Sequence, residues 1–149
     1  MAPTARTDPF RGFNFRVEID KTTVASFSEV SGLTADGDAV DYREGKDGAN
    51  RVRKLVGLRK YGVITLKRGY TKDSTLWDWY SAVATGAANA RRDGSIVLRD
   101  ETQTDVIFFD FTNGFLNKIL GPDFKGAGNE VAIESAELVV ESLTIKLAK

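Results

Sequence analysis

The stretch Arg53-Lys-Leu-Val-Gly-Leu-Arg-Lys-Tyr-Gly-Val-Ile-Thr-Leu-Lys-Arg-Gly69, followed closely by Leu76-Trp-Asp-Trp-Tyr80, decides how the rest of the chain is read. Its first half reads as a turn, a long strand and a second turn at Gly69. Ile64 and Leu66 share one strand face and Val63 and Thr65 the other, because successive strand side chains point to opposite sides. Arg59 and Lys60 precede this strand and Lys67 and Arg68 follow it. From Arg51 to Arg68 there are seven Lys or Arg and no Asp or Glu, a run of charge that predicts a use outside the strand. The second half is a helix. Asp73 or Ser74 supplies the cap, and Leu76, Trp79, Tyr80 and Val83 follow at i, i+3, i+4 and i+7 as one apolar face. Gly86 ends it as a left-handed cap, which gives a short helix over about 74–85. Both tryptophans of this segment are expected in the core, with Asp78 and Ser81 turned outward.

Upstream, Phe13, Phe15, Val17 and Ile19 alternate with Asn14, Arg16, Glu18 and Asp20, the pattern of a half-buried strand. Lys21-Thr22-Thr23 then reads as a hairpin turn and Val24–Val30 as the returning strand. Residues 1–9 carry two prolines and small polar residues, and read as a flexible N-terminal arm. Asp36 to Asn50 holds three glycines and five acids. It reads either as a mobile surface loop or as a long hairpin arm, about 36–56, that orders against a neighbouring subunit. Its acids Asp36, Asp38 and Asp41 are followed by Arg51, Arg53 and Lys54, so such an arm presents both signs.

Downstream, Asp93-Gly94 signals a tight hairpin tip, Ser95–Arg99 a strand, Asp100–Thr104 a turn and Val106–Phe111 a further strand. Gly121-Pro122-Asp123 breaks the chain. Glu130, Glu134, Glu137 and Glu141 have helical spacing, but Leu138, Val139, Val140, Leu143, Ile145 and Leu147 are dense in β-formers. The strand is preferred there, with a bulge or register change near Ser135 or Ser142. Together these elements predict a mainly β fold, an antiparallel β-barrel or two-sheet sandwich with one short α-helix. At 149 residues the chain is expected to be one domain, 1–149.

Composition narrows the chemistry. Net charge is zero, which removes long-range repulsion between copies and favours self-association. The charge is nevertheless separated, since residues 100–149 hold nine acids against four lysines. Neither cysteine nor histidine occurs, so disulfides, thiolate metal sites and Cys/His dyads are excluded. Asp100-Glu101 are neighbours on a turn and point apart. Gly126-Ala-Gly128 lacks the third glycine and the strand–helix setting of a dinucleotide loop. No catalytic residue, cofactor or metal is expected, and the chain is read as a non-enzyme. The basic run has only Tyr61 as an interleaved aromatic and is compensated elsewhere, which argues against sequence-specific nucleic-acid binding. The N-terminus lacks the apolar core of a signal peptide and no apolar run reaches ~18 residues. Cytoplasmic synthesis without membrane insertion is the expectation.

The central motif, with Phe13-x-Phe15-x-Val17-Glu-Ile-Asp20, Phe27-Ser-Glu-Val-Ser-Gly-Leu33, Tyr42-Arg-Glu-Gly45, Arg91-Arg-Asp-Gly-Ser-Ile-Val-Leu98 and Gly128-Asn-Glu-Val-Ala-Ile-Glu134, resembles the tail-tube protein family. That family forms the inner tubes of contractile phage tails and of phage-tail-like contractile injection systems. The chain departs from the pattern at Val56 and over Thr112–Lys118. The resemblance implies homohexameric rings stacked into a hollow conduit for DNA or effector proteins, as part of a virion or injection particle. It also implies a sheath outside and baseplate, spike and terminator proteins at the ends. It favours the arm reading, with Asp36, Asp38, Asp41, Tyr42, Arg43, Glu44, Lys46, Arg51, Arg53 and Lys54 as contacts to the next ring. Asp123, Glu130 and Glu134 are candidate acidic partners for the basic arm residues. The competing readings are a tube-initiating or baseplate adaptor of the same fold, and a soluble β-domain acting as a ligand-binding module or effector.

Overall fold

The computed structural model describes residues 14–24, 27–43, 45, 52–70, 72–128 and 131–148. Among these residues the elements run β1 (Phe15–Ile19), β2 (Thr22–Val24), β3 (Glu29–Ser31), β4 (Ala35–Tyr42), β5 (Arg53–Tyr61), β6 (Ile64–Gly69), α1 (Thr75–Ala84), β7 (Arg92–Arg99), β8 (Asp105–Leu120), β9 (Ile133–Val139) and β10 (Ser142–Leu147). The sequence calls on residues 1–9, Phe13, Glu44, Lys46, Arg51 and Glu130 lie outside the described residues.

Eight strands form one antiparallel sheet in the order β2-β1-β7-β8-β9-β6-β3, with β10 also paired to β8, while β4 and β5 form a ribbon of their own. The sixteen-residue β8 explains this branching. Its first half lies between β7 and β10, and its second half pairs with β9. The sequence reading stops this strand at Phe111, whereas it runs on to Leu120. The chain turns at Asn113, whose φ is 49°, but Gly114 still stands opposite Arg92 and pairing with β9 begins at Phe115. One strand therefore serves two sheet regions.

Two turns differ from expectation. The β1–β2 turn sits at Asp20-Lys21, where both residues adopt left-handed φ of 53° and 65°, the geometry of a two-residue hairpin whose twist matches its strands. The return strand then divides: β2 pairs with β1, whereas β3 crosses to pair with β6. Asp93-Gly94 is no hairpin tip either. Gly94 lies within β7, opposite Ile19 on one side and Phe111 on the other. A Cβ here would collide with the carbonyl of Glu18 and come within 2.5 Å of the Phe111 ring. The glycine serves close packing beneath an aromatic ring, one of the reasons strands keep one.

The core sits between the sheet and α1. Val17, Ile19, Ile64, Leu66, Ile96, Phe111, Leu116, Ala136 and Leu138 meet Leu76 and Trp79 in one buried cluster. Each large apolar side chain so buried contributes about 1.5–3 kcal/mol. Tyr80 and Val83 pack against the cluster while partly exposed. The two tryptophans part company: Trp79 is fully buried, but Trp77 is 58% exposed. Two positions apart on a helix is roughly 200° around the axis, so only one can face the core. Trp79 donates its indole N–H to the carbonyl of Ala90 at 2.7 Å. The helix begins with the Asp73 carboxylate accepting from the Thr75 N–H at 3.0 Å. It ends at Gly86 (φ 72°), with Ala87 N–H to Ala82 carbonyl at 2.9 Å and Gly86 N–H to Val83 carbonyl at 3.2 Å, the paired bonds of a Schellman cap. At the C-terminus both halves of the ambiguous segment are strands, broken at Val140–Glu141. Glu134, Glu137 and Glu141 share no helix.

Candidate assembly interface

The ribbon of β4 and β5 is the predicted arm, and it is longer than expected, reaching Tyr61. It prolongs the β3–β6 ladder past an interruption at Gly32–Thr34 and Gly62–Val63. Acids from β4 face bases from β5. Asp41 stands opposite Lys54 and pairs with it, and Lys60 reaches Asp38 at 3.4 Å. Asp36 turns its carboxylate onto the Gly37 N–H at 2.8 Å. Tyr42 stands opposite Arg53, and Arg43 is exposed just beyond β4. These exposed ion pairs contribute little stability. What marks the arm is apolar exposure on both faces. Val40 and Leu55 share one face, while Ala39 and Val56 share the other. Val56 is 80% exposed and Leu58 74%.

The sheet also has open strands. β2 and β3 end it, and β10 leaves one edge unpaired among the described residues, with Ile145 and Leu147 exposed. Unpaired strand edges carry free N–H and C=O groups that another chain can satisfy.

The basic run divides in a way the sequence reading missed. Lys67 is half-buried and lies 3.7 Å from Glu29, but Arg68 is buried, with 2% exposure of its side chain. Its Nε meets Glu134 at 2.9 Å, one terminal nitrogen meets the Asp73 carboxylate at 2.9 Å, and the other the Asp73 carbonyl at 2.9 Å. Arg68 also lies over the ring of Phe27, 5.8 Å from its centre. The signal was parity: Arg68 follows Ile64 and Leu66 at the same spacing, and Glu134 precedes Ala136 and Leu138. Glu134 is thus engaged inside its own subunit and withdrawn as a partner for the arm. Asp73 is held below the usual carboxylate range, chiefly by the Thr75 hydroxyl and N–H and then by Arg68.

The sheet face turned away from the core is a second charged surface. Arg16 binds Asp105 through both terminal nitrogens and Glu18 at 2.9 Å. This raises Arg16 above, and lowers Asp105 below, their ordinary ranges. Ser95 and Lys146 meet Asp110 on the same face. Across β8, Thr65, Glu137 and Lys118 continue it. Asp100 organises its turn by accepting from the N–H groups of Thr102 at 2.9 Å and Thr104 at 3.0 Å. Among the described residues no three acidic side chains gather as a metal site, and no helix is long and apolar enough to cross a membrane.

A long exposed ribbon, open strand edges and a helix-backed core define a subunit shaped for assembly, and comparison with known proteins agrees. The profile of the T4-like virus tail tube protein gp19 matches residues 11–144. The chain belongs to this tail-tube family, a family of structural tube proteins. Among solved structures, a chain of the anti-feeding prophage cap, the "AFP tube terminating cap", superposes with a TM-score of 0.85 at 26% identity, covering 99% of this chain and 97% of that one. A chain of the PVC sheath-tube complex in the extended state gives 0.79 at 23% identity, covering 94% and 93%. Hcp1 from Flavobacterium johnsoniae shares the fold at 14% identity with a TM-score of 0.54, covering 91% and 97%. No protein of curated function matches in sequence.

Proposed function

We propose that this chain is the main subunit of the inner tube of a contractile tail or injection particle, assembling as homohexameric rings that stack into a hollow conduit. The observation that carries this is the β4–β5 ribbon, apolar on both faces and exposed in the single chain, in a member of the tail-tube family. Solvated apolar side chains of that density signal an interface. Within a ring, neighbouring copies satisfy the open edges of β2, β3 and β10, and closure leaves no edge free. The arm then contacts the next ring, with Arg51, Arg53 and Lys54 meeting acids there. The polar sheet face lines the bore, where DNA or protein cargo passes without base-specific contacts. The helix side, with Trp77 and Asp78 exposed, faces the sheath, while baseplate or spike and terminator proteins hold the ends.

A second reading has its own support. The chains of the cap and of the PVC sheath/tube terminator superpose with TM-scores of 0.85 and 0.83, above 0.79 for the sheath-tube complex. A terminal ring of the same fold also suits the chain. Negative-stain electron microscopy across a concentration series, with sedimentation alongside, separates the two. Hollow tubes are expected; single rings that never stack favour the terminal role, and a monomer at every concentration with or without a baseplate template refutes both. Reversing charge with Arg51→Glu and Arg53→Glu together is expected to stop tube growth and leave the monomer melting curve unchanged. Normal tubes from that variant sink the charged contact.

A further inference from the structure

The geometry points to a seat for the arm at the opposite end of the subunit, formed by Tyr70, Leu120, Phe124, Val131 and Ile133, so that the occupant is the β4–β5 ribbon of a second copy stacked on the first. This rests on the tube reading and adds the receiving surface to it. Fifteen large apolar side chains stand exposed among the described residues. Seven belong to the arm and its base and five to this far end; Trp77 and the two on β10 complete them.

The strand directions put the two groups apart. The arm leaves the sheet beside Ile64, where β5 gives way to β6. β6 then runs about 17 Å away from it to Gly69. Ile133 at the start of β9 lies beside Gly69, and Leu120 at the end of β8 lies beside Ser135. Tyr70 N–H binds the carbonyl of Ala132 at 2.9 Å, which draws the chain around Val131 to the same place. Asp123, Lys125, Val131 and Ile133 line a cleft of about 190 Å³ there. Phe124, between that acid and that base, is 81% exposed and Val131 75%.

Each surface has an apolar centre edged by both charges, the pattern of a protein interface. On the arm Val56 and Leu58 lie between Lys54 and Lys60, which are paired to Asp41 and Asp38. On the seat Phe124 lies between Asp123 and Lys125. Two different surfaces at opposite ends of one chain make a head-to-tail contact, which propagates without limit along an axis. A β5 strand of nine residues spans about 27 Å, enough to leave its own subunit and cover the end of the next.

The chain has no cysteine, so crosslinking can be targeted. Full-length Leu58→Cys/Phe124→Cys is assembled and treated with a short bis-maleimide, then run on a denaturing gel beside each single variant. A ladder of many rungs is expected from the double variant, with nothing beyond dimers from the singles. Mixing the two singles is expected to give dimers only. Phe124→Asp/Val131→Asp should shorten or abolish tubes while its monomer melts as the unaltered chain does. Tubes of ordinary length from that variant, together with no ladder, overturn the seat and leave the tube reading standing. An unaltered chain that never forms tubes refutes the tube reading, and the seat with it.

Discussion

Removing Arg68 is the sharpest test of how the two sides of the subunit are joined. Arg68→Met keeps the aliphatic bulk but leaves the Glu134 carboxylate, whose side chain is 10% exposed, without its cation. Breaking a buried pair from one side costs about 3–5 kcal/mol, because the remaining charge is uncompensated. Asp73 adds less: its side chain is 31% exposed and Thr75 still binds it. For a chain of this length each kcal/mol moves the melting temperature by about 2–4 °C, so a fall of about 6–20 °C is expected. The measurement is circular dichroism melting at neutral pH, dilute enough to keep chains unassembled. Glu134→Leu added to Arg68→Met should recover most of the loss, since apolar replacement of a whole buried pair is near neutral. A single variant melting within about 3 °C of the parent, or a double variant no better than the single, refutes the account.

Three further outcomes follow from the same geometry. Trp79→Ala empties a fully buried site and strands the Ala90 carbonyl, for an expected loss of about 3–5 kcal/mol by denaturant titration; an unchanged curve contradicts its place in the core. Gly94→Ala forces a methyl group against the Glu18 carbonyl and Phe111 and should cost about 1–3 kcal/mol, whereas a neutral result means β7 can shift. Asp105 is held low in the folded state by Arg16, so the unfolded chain takes up that proton first. The stabilisation is whole above the unfolded value of about 4 and is lost as pH falls through the folded value. Melting temperatures of the parent and Asp105→Asn should therefore differ at pH 7 and converge as the pH falls below the folded-state value of Asp105; a constant gap excludes the pair as the cause.

Where one physical rule governed a segment, the sequence was enough to read it. The spacing of Leu76, Trp79, Tyr80 and Val83 located α1, and the alternation of Phe15, Val17 and Ile19 located β1. Failures came where two rules competed. Asp93-Gly94 has turn chemistry, but the glycine is set by Phe111 from a neighbouring strand, which no local window contains. Asn113-Gly114 bends β8 without ending it, because β9 is there to receive Phe115 and beyond. Residue type alone puts Arg68 and Glu134 on the surface, whereas their parity with Ile64, Leu66, Ala136 and Leu138 puts them inside. The arm was legible as a hairpin, but its apolar side chains gained meaning only when both faces were found bare.

The continuity of the arm with β6 has a mechanical consequence. A pull on the ribbon directed along β6 does not peel that strand from its neighbour one bond at a time. It loads the β6–β9 ladder from Ile64 to Gly69 in shear, so the backbone hydrogen bonds resist together. The far end of β6 is anchored by the guanidinium of Arg68, which ties it to β9 and to the start of α1. Tension entering through the arm is thus spread across the sheet and into the helix, and the strand that carries the arm is moored at its far end.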